Sequence, residues 1–163
     1  LLQDEEYLAQ NAAITAECAI RVATIDLPVT LSEASVLILG WGRIGKCLAK
    51  LLSAIGASVT VAARNANDRA MLQALGHGAV DFSGIPGTAS RYGVVFNTVP
   101  HLPFPEDPFT GCNGCIKIDL ASTPGMDGWD AVTARGLPGK YAPETTGRLI
   151  AHSILRKIRE DSL

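Results

Sequence analysis

A glycine-rich segment, Gly40-Trp41-Gly42-Arg43-Ile44-Gly45, restricts the fold of this chain more than any other part of the sequence. The apolar run 35–39 precedes it directly, and a stretch with helical spacing of apolar residues follows it as far as Gly56. A strand, a G-x-G-x-x-G turn and a helix in this order indicate a dinucleotide-binding unit, because the turn and the helix N-terminus bind phosphate. The second glycine lets a pyrophosphate approach the backbone, and the third lets the helix pack closely on the strand. We therefore expect residues 40–45 to bind a nicotinamide dinucleotide; a turn without a ligand, or a loop for FAD or S-adenosylmethionine, stays open.

Apolar runs alternate with helical patterns along most of the chain. The predicted helices are residues 4–26, 43–55, 67–75, 127–135 and 143–160, and the predicted strands are residues 35–39, 58–63, 79–82, 93–98 and 115–120. Prolines exclude a regular element between residues 100 and 114. The alternation predicts parallel strands with right-handed crossovers, and therefore an α/β fold: a doubly wound parallel sheet of the Rossmann type.

Composition excludes several classes of protein. A chain of 163 residues is the length of about one domain. Hydrophobic residues make up 47% and charged residues 18%, which argues against intrinsic disorder. The formal net charge of −2 and the lack of a Lys/Arg cluster argue against a nucleic-acid partner or a membrane surface. No uncharged apolar run approaches the ~20 residues that span a bilayer.

The cysteines predict reduced thiols and no metal site. Cys112 and Cys115 form a C-x-x-C, but no second Cys or His pair has the spacing of a zinc site, so we expect a turn there. Cys18 and Cys47 lie at helical positions and are expected to pack as small core residues. Reduced thiols are typical of a cytoplasmic protein.

The end of the second predicted strand suggests which dinucleotide binds. In a domain that binds NAD, an acid about 20 residues past the glycines contacts the ribose hydroxyls. Here Arg64 and Asn65 stand at that place, and the next acid is Asp68. A guanidinium pairs with a 2′-phosphate through two hydrogen bonds, so we expect NADP(H), with Arg43 as a second candidate for phosphate. Alternatively, Arg64 stacks on the adenine or points to solvent.

The ends of the fourth and fifth predicted strands should border the far part of the cofactor, because ligands bind at the carboxyl ends of parallel strands. The candidates there are Asn97, Thr98, Val99, Pro100, Asp119 and Ser122. Asn97 and Pro100 also suit a plain turn, and Asp119 could instead accept a backbone N–H.

The stretch 136–143 is rich in Gly and Pro and is expected to be a loop, where Lys140 and Tyr141 contact an anionic substrate or face solvent. His101 and His152 are the candidates for proton transfer. Neither has a visible partner, so a structural or exposed role is expected and no residue is identified as the catalytic base.

Taken together, motifs spread over nearly the whole chain resemble one known family, the A subunit of bacterial dipicolinate synthase. The segments that carry the resemblance are 15–20, 36–45, 63–64, 97–100, 118–125, 137–139 and 142–147. The glycine loop is common to many dehydrogenases, whereas the last three segments in combination are more specific. Cys18, Glu144 and Thr146 depart from the family, in which Gly, Lys and Ala are usual at these places.

The resemblance implies a longer protein with a further N-terminal domain ahead of residue 1. Residues 1–163 are then the dinucleotide-binding domain, and the segments 1–28 and 143–163 are the crossovers that join the two domains. A dicarboxylate substrate needs N–H donors or cations. The candidates are Leu137, Pro138, Gly139, Thr145 and Thr146.

The resemblance also implies a reaction, a partner and a location. The reaction is the NADP-linked oxidation of a dihydrodipicolinate-type ring to dipicolinate, the aromatic diacid of bacterial endospores. The partner is a flavoprotein-like B subunit, and the location is the cytoplasm of the mother cell; a homo-oligomer stays open. The alternatives are the cofactor domain of a 2-hydroxyacid or shikimate type of dehydrogenase, and a regulatory module that binds NADP(H) without turnover.

Overall fold

The computed structural model of the chain describes residue 1, residues 3–160 and residue 162. Its α-helices are α1 (Glu5–Ala23), α2 (Arg43–Ile55), α3 (Ala66–Ala74), α4 (Leu137–Tyr141) and α5 (Pro143–Glu160). Its strands are β1 (Ser35–Leu39), β2 (Ser58–Ala62), β3 (Gly78–Val80), β4 (Val94–Asn97), β5 (Ile116–Asp119) and β6 (Val132–Thr133). None of the helices in this described part combines the length and apolar character that a membrane span needs.

All the strands pair in parallel in one sheet, in the order β3-β2-β1-β4-β5-β6. The predicted α/β fold of the Rossmann type is therefore confirmed. At the carboxyl end of β1, Leu39 lies between Ala62 of β2 and Asn97 of β4. The neighbouring strands β2 and β4 lie on opposite sides of β1, so the direction of the strand order reverses here. Open parallel sheets bind their ligands at such a point.

Alternate side chains of β1 pack on opposite faces of the sheet, as a period of two requires. Val36 and Ile38 are fully buried in a cluster with α1, α2 and α3. Leu37 and Leu39 are fully buried in a second cluster, formed with Phe82, Phe109 and other residues of irregular segments. Helices therefore cover one face of the sheet, whereas turns and short 3-10 helices cover the other.

Two predictions of local structure are wrong. Residues 127–135 form turns and β6 instead of a helix, because Gly128 and Asp130 take left-handed conformations, with φ of 80° and 50°, which interrupt helical geometry. The expected loop at 136–143 contains the short helix α4. Pro138 stands in the first turn of α4, where its missing N–H costs nothing.

The long helices α1 and α5 pack against each other. Asp4 caps α1 by accepting a hydrogen bond of 3.1 Å from the N–H of Tyr7. Arg156 of α5 forms ion pairs with Asp4 and Glu6. In the predicted flanking segments 1–28 and 143–163, residues 2, 161 and 163 lie outside the described residues.

Candidate cofactor and substrate site

The glycine turn between β1 and α2 has the geometry that a pyrophosphate needs. Gly40 has a φ of 106°, and a Cβ there would lie 2.5 Å from the hydroxyl oxygen of Thr98. A Cβ on Gly45 would lie 2.3 Å from the carbonyl oxygen of Gly40, so only glycine permits this packing of α2 on the turn. At Gly42, by contrast, a Cβ would meet nothing within 4 Å. The space beside Gly42, at the N-cap of α2, is therefore open for a phosphate.

The three other residues of the turn have different surroundings. Trp41 packs edge-on against His77, with 6.2 Å between ring centroids. Arg43 forms an ion pair with the exposed carboxylate of Glu5, so α1 competes with a phosphate for its charge. Ile44 lines a cavity at the ends of β4 and β5.

Arg64 lies two residues past the end of β2 and is exposed, as the expected contact with a 2′-phosphate requires. One of its nitrogens lies 3.4 Å from the backbone oxygen of His101, and its guanidinium lies 6.0 Å from the ring centroid of Phe82. Arg64, Phe82 and Phe104 line a cavity of about 490 Å³. Asn65, the next candidate for the cofactor, caps α3: its side-chain oxygen accepts a hydrogen bond of 2.8 Å from the N–H of Asn67.

Arg69, which the sequence reasoning missed, holds the backbone beside Arg64. Its Nη1 donates at 2.7 Å to the carbonyl oxygens of both Ala63 and Arg64, and at 2.9 Å to the carboxylate of Asp81. Arg69 lies in the first turns of α3, where a cation opposes the helix dipole. That unfavourable position was the one sequence signal of a role outside the helix.

Asn97 and Asp119 form a buried pair at the ends of β4 and β5. Asn97 is 0% exposed and Asp119 is 2% exposed. The amide nitrogen of Asn97 donates at 2.9 Å to Asp119, which also accepts from the backbone N–H groups of Ala121, Gly125 and Met126. The amide of Asn97 further binds both the N–H and the carbonyl oxygen of Val99. These bonds support the structural alternatives for the two side chains, which shape the adjoining loops, and direct contact with a cofactor stays a prediction.

Residues 98–100 continue from β4 along the same edge. The hydroxyl of Thr98 donates at 2.8 Å to the carbonyl oxygen of Leu39, which ties the ends of β4 and β1 together. Val99 packs against the second core cluster, and Pro100 is exposed. Of these residues, Thr98 lines the cavity at the ends of β4 and β5.

That cavity, of about 560 Å³, is lined by two of the six residues predicted at the ends of β4 and β5, by four of the five substrate candidates and by one residue of the glycine turn. Those it contains are Ile44, Thr98, Ser122, Leu137, Pro138, Gly139 and Thr146. Thr145 lies elsewhere, in a depression lined by Gln10 and His152, because successive helical residues point about 100° apart. Asn11, Thr15 and Arg135 also line the cavity, although the sequence reasoning did not select them.

The remaining candidates lie apart from this edge or are used in packing. A cavity of about 660 Å³ near the start of β5 is lined by Cys112 and Cys115, both free thiols. Burial, with the neighbouring Cys112, raises the pKa of the Cys115 thiol to about 11. Tyr141 is flanked by the cations of Arg21 and Lys140, at 5.2 and 5.0 Å from its ring centroid. Within the described residues, no group of His, Cys, Asp and Glu has the arrangement of a metal site.

A 3-2-1-4-5-6 parallel sheet with an open glycine turn at its switch point defines a Rossmann-type dinucleotide-binding domain. Residues 11–103 match the family described as D-isomer specific 2-hydroxyacid dehydrogenase, NAD binding domain. The chain belongs to this family, and its cofactor class is a nicotinamide dinucleotide.

The chain is also similar to the A subunit of dipicolinate synthase, which confirms the resemblance found in its motifs. The protein from Bacillus subtilis (strain 168) is 27% identical over 169 residues, which cover 98% of this chain and 57% of that protein. Its crystal structure matches with a TM-score of 0.89 over the same shares of the two chains. The crystal structure from Bacillus halodurans matches with a TM-score of 0.84 and 30% identity, over 96% of this chain and 57% of that one. The chain thus spans 57% of the length of these relatives.

Proposed function

We propose that this chain is the NADP-binding domain of an oxidoreductase that forms dipicolinate from a dihydrodipicolinate-type precursor. The observation that carries the choice of NADP is the exposed guanidinium of Arg64 at the end of β2, where domains that bind NAD place an acid. The similarity to the A subunit of dipicolinate synthase supports the choice of reaction.

The charges around Arg64 favour a phosphate. Asp81, the carboxylate among the described residues that line the same cavity, is paired with Arg69 and accepts two hydrogen bonds from Ser83. Those bonds, with the charge of Arg69, hold the pKa of Asp81 below its usual value. Its negative charge is therefore already compensated, which leaves the guanidinium of Arg64 available for a ligand.

In this proposal, the phosphates and the nicotinamide of the cofactor lie in different parts of the site. Gly42 and the N-terminus of α2 bind the pyrophosphate, while Arg64 binds the 2′-phosphate, with Phe82 beside the adenine. Ile44 and Thr98 then face the nicotinamide end, in the cavity that also holds Ser122 and Leu137. When bound there, the cofactor would supply a hydride acceptor, and the residues of this cavity would orient the substrate ring against it.

The proposal includes the wider setting of the enzyme. The substrate is a small dicarboxylate, a flavoprotein-like B subunit is the partner, and the cytoplasm of the mother cell of a spore-forming bacterium is the location. The family to which the chain belongs favours one alternative, a dehydrogenase domain that uses NAD for a 2-hydroxy acid.

Parallel titrations with NADP⁺ and NAD⁺ test the proposal. Trp41 lies inside the glycine turn and reports binding by its fluorescence, and Trp41→Phe removes that signal while leaving Trp129. We expect NADP⁺ to bind roughly tenfold more tightly or better, because charged hydrogen bonds contribute about 1.5–3 kcal/mol. Arg64→Ala should remove the preference, whereas Arg91→Ala, at an exposed arginine of a 3-10 helix, should retain it. Equal affinities in the unsubstituted chain would contradict the choice of NADP.

A second assay tests the reaction itself. The longer protein that contains this domain should reduce NADP⁺ when dihydrodipicolinate is supplied, and the absorbance of the reduced nicotinamide should follow the reaction. Reduction of NAD⁺ by a 2-hydroxy acid, with no response to dihydrodipicolinate, would favour the alternative. Binding of NADP⁺ without turnover of either substrate would favour a regulatory module.

A further inference from the structure

We propose that Arg135 binds a carboxylate of the substrate and so determines the class of substrate that this site accepts. The proposal rests on the function proposed above, because it places the substrate in the cavity at the ends of β4 and β5. That cavity holds about 560 Å³, and Arg135 is the charged residue among the described residues that line it. The other polar side chains of the lining, Asn11, Thr15, Thr98, Ser122 and Thr146, are uncharged.

The guanidinium of Arg135 is available to a ligand. It is exposed, and it forms neither an ion pair nor a hydrogen bond with any residue that the structure describes. The arginines on nearby elements are engaged: Arg43 with Glu5, and Arg21 with the carbonyl oxygen and ring of Tyr141. A cation at the rim of a cavity whose described lining contains no acid favours an anionic ligand.

The backbone around Arg135 is held firmly on both sides. Ala134 is buried, and its N–H donates at 2.9 Å to the carbonyl oxygen of Asp119. Gly136 takes a left-handed conformation with a φ of 63°, and Leu137 is 3% exposed at the start of α4. The loop therefore fixes the point from which the guanidinium reaches the cavity, although the side chain itself is free.

The hydrogen bonds within the cavity show which of its side chains can still donate a hydrogen bond to a ligand. The hydroxyls of Thr15, Thr98 and Thr146 already donate to backbone carbonyl oxygens, so they offer a ligand only their lone pairs. Among the described lining residues, this leaves the side chains of Asn11 and Ser122 as uncharged donors beside Arg135. A carboxylate needs donors, and the fork of a guanidinium meets its two oxygens with two parallel hydrogen bonds.

Phosphate could use the same guanidinium, and the cofactor carries phosphates. The glycine turn supplies their expected place, with open space beside Gly42 at the N-cap of α2. We therefore assign Arg135 to the substrate, and the cofactor becomes the comparison in the experiment.

The experiment measures the affinities of pyridine-2,6-dicarboxylate and of NADP⁺ by titration calorimetry, each alone and in the presence of the other. The variants are Arg135→Leu, Arg135→Lys and, as a matched exposed arginine, Arg91→Leu. Pyridine-2,6-dicarboxamide, which keeps the ring but has no negative charge, is the neutral comparison. Circular dichroism and the thermal midpoint confirm that each variant folds.

We expect Arg135→Leu to weaken the dicarboxylate roughly tenfold to a hundredfold and to leave NADP⁺ within about twofold. The affinity of Arg135→Lys for the dicarboxylate should lie between those of the unsubstituted chain and of Arg135→Leu, because lysine keeps the charge but lacks the planar guanidinium. Arg91→Leu and the uncharged diamide should show no such change.

Three results would overturn the assignment. The first is an unchanged affinity of Arg135→Leu for the dicarboxylate, and the second is no binding of the dicarboxylate by the unsubstituted chain, with or without NADP⁺. The third is a loss of affinity in Arg135→Leu that affects NADP⁺ alone. The last would place a cofactor phosphate on Arg135. Failure of the proposed function looks different, because the chain would then bind the dicarboxylate through Arg135 but fail to bind NADP⁺.

Discussion

The glycines of the turn after β1 meet different physical limits. Gly40 needs a left-handed backbone, and Gly45 needs the absence of a Cβ, because Gly40 and Gly45 approach each other in the turn. Gly42 meets neither limit, since space is open around it. Packing therefore explains two of these glycines, and under the proposed function the approach of a pyrophosphate explains the third.

Gly45→Ala should destabilise the domain by about 1–3 kcal/mol, because the new Cβ would lie 2.3 Å from a backbone oxygen that cannot easily move. Gly147→Ala is the matched control. Gly147 lies within α5, and a Cβ there meets nothing within 4 Å, so this change should stabilise by about 0.5–1 kcal/mol. Urea unfolding followed by circular dichroism measures both changes. Equal midpoints for Gly45→Ala and the unsubstituted chain would show that α2 does not need this close packing.

The roles of single residues could be predicted where they depend on neighbours in sequence. The glycine pattern and the place of Arg64 after a strand follow from local order, and the structure has the strand, the turn and the helix where the pattern put them. The partners of Arg69 and the surroundings of Arg135 could not be found in this way. Only the folded sheet brings Asp81 to Arg69, and only the fold places Arg135 beside the cavity at the ends of β4 and β5.

At the scale of elements, Asp119 at the end of β5 organises the loop that follows it. Its two carboxylate oxygens accept four hydrogen bonds, one from Asn97 and three from backbone N–H groups between residues 121 and 126. Gly125 belongs to the same close contact, because a Cβ there would lie 2.5 Å from the amide nitrogen of Asn97. The strand ends thus fix one wall of the cavity that contains Ser122.

Asp119→Asn should destabilise the domain by about 2 kcal/mol or more, because one of the acceptor oxygens becomes an N–H₂ group that faces backbone donors. Asp127→Asn, at an exposed position of the same loop, should be nearly neutral. Chemical denaturation of both variants provides the measurement. A loss of similar size in the two would mean that the network around Asp119 contributes little.

Elements with a strong local pattern were predictable, and those fixed by backbone conformation were not. The bounds of β1 and α2 agree with the prediction, since a compact apolar run and the C-cap glycine Gly56 define them. Residues 127–135 have the spacing of a helix, but the left-handed Gly128 and Asp130 prevent it. In 136–143, a single turn of helix forms because α1 supplies a packing surface for α4, which no local pattern reveals.

At the scale of the whole molecule, α5 is attached along one side only. It packs against α1 and α4, and among its described residues Leu149 and Ser153 are buried. Ile154 and Ile158 remain 45% and 57% exposed. The second half of α5 therefore depends on Arg156, which joins it to Asp4 and Glu6 at the beginning of α1.

This dependence predicts how the attachment of α5 responds to pH. The guanidinium of Arg156, with the N–H of Tyr7, holds the pKa of Asp4 below its usual value of 3.8. A carboxyl group with a lowered pKa stabilises the folded state fully above its unfolded pKa and loses that contribution as pH falls through the folded pKa. The ion pair between Asp4 and Arg156 therefore contributes fully to stability at neutral pH, and its contribution is lost only below about pH 3.8.

Arg156→Met should accordingly lower the thermal midpoint and the hydrogen-exchange protection of the end of α5 at about pH 7, with an effect that shrinks as the pH falls below about 3.8 and through the lowered pKa of Asp4. Arg159→Met, which changes an exposed arginine of the same helix, should leave both measurements nearly unchanged. Because acid affects many groups, the informative quantity is the difference between variant and unsubstituted chain at each pH. A difference that stays constant over this range would mean that Arg156 holds α5 through the packing of its methylene groups, and not through the charge of Asp4.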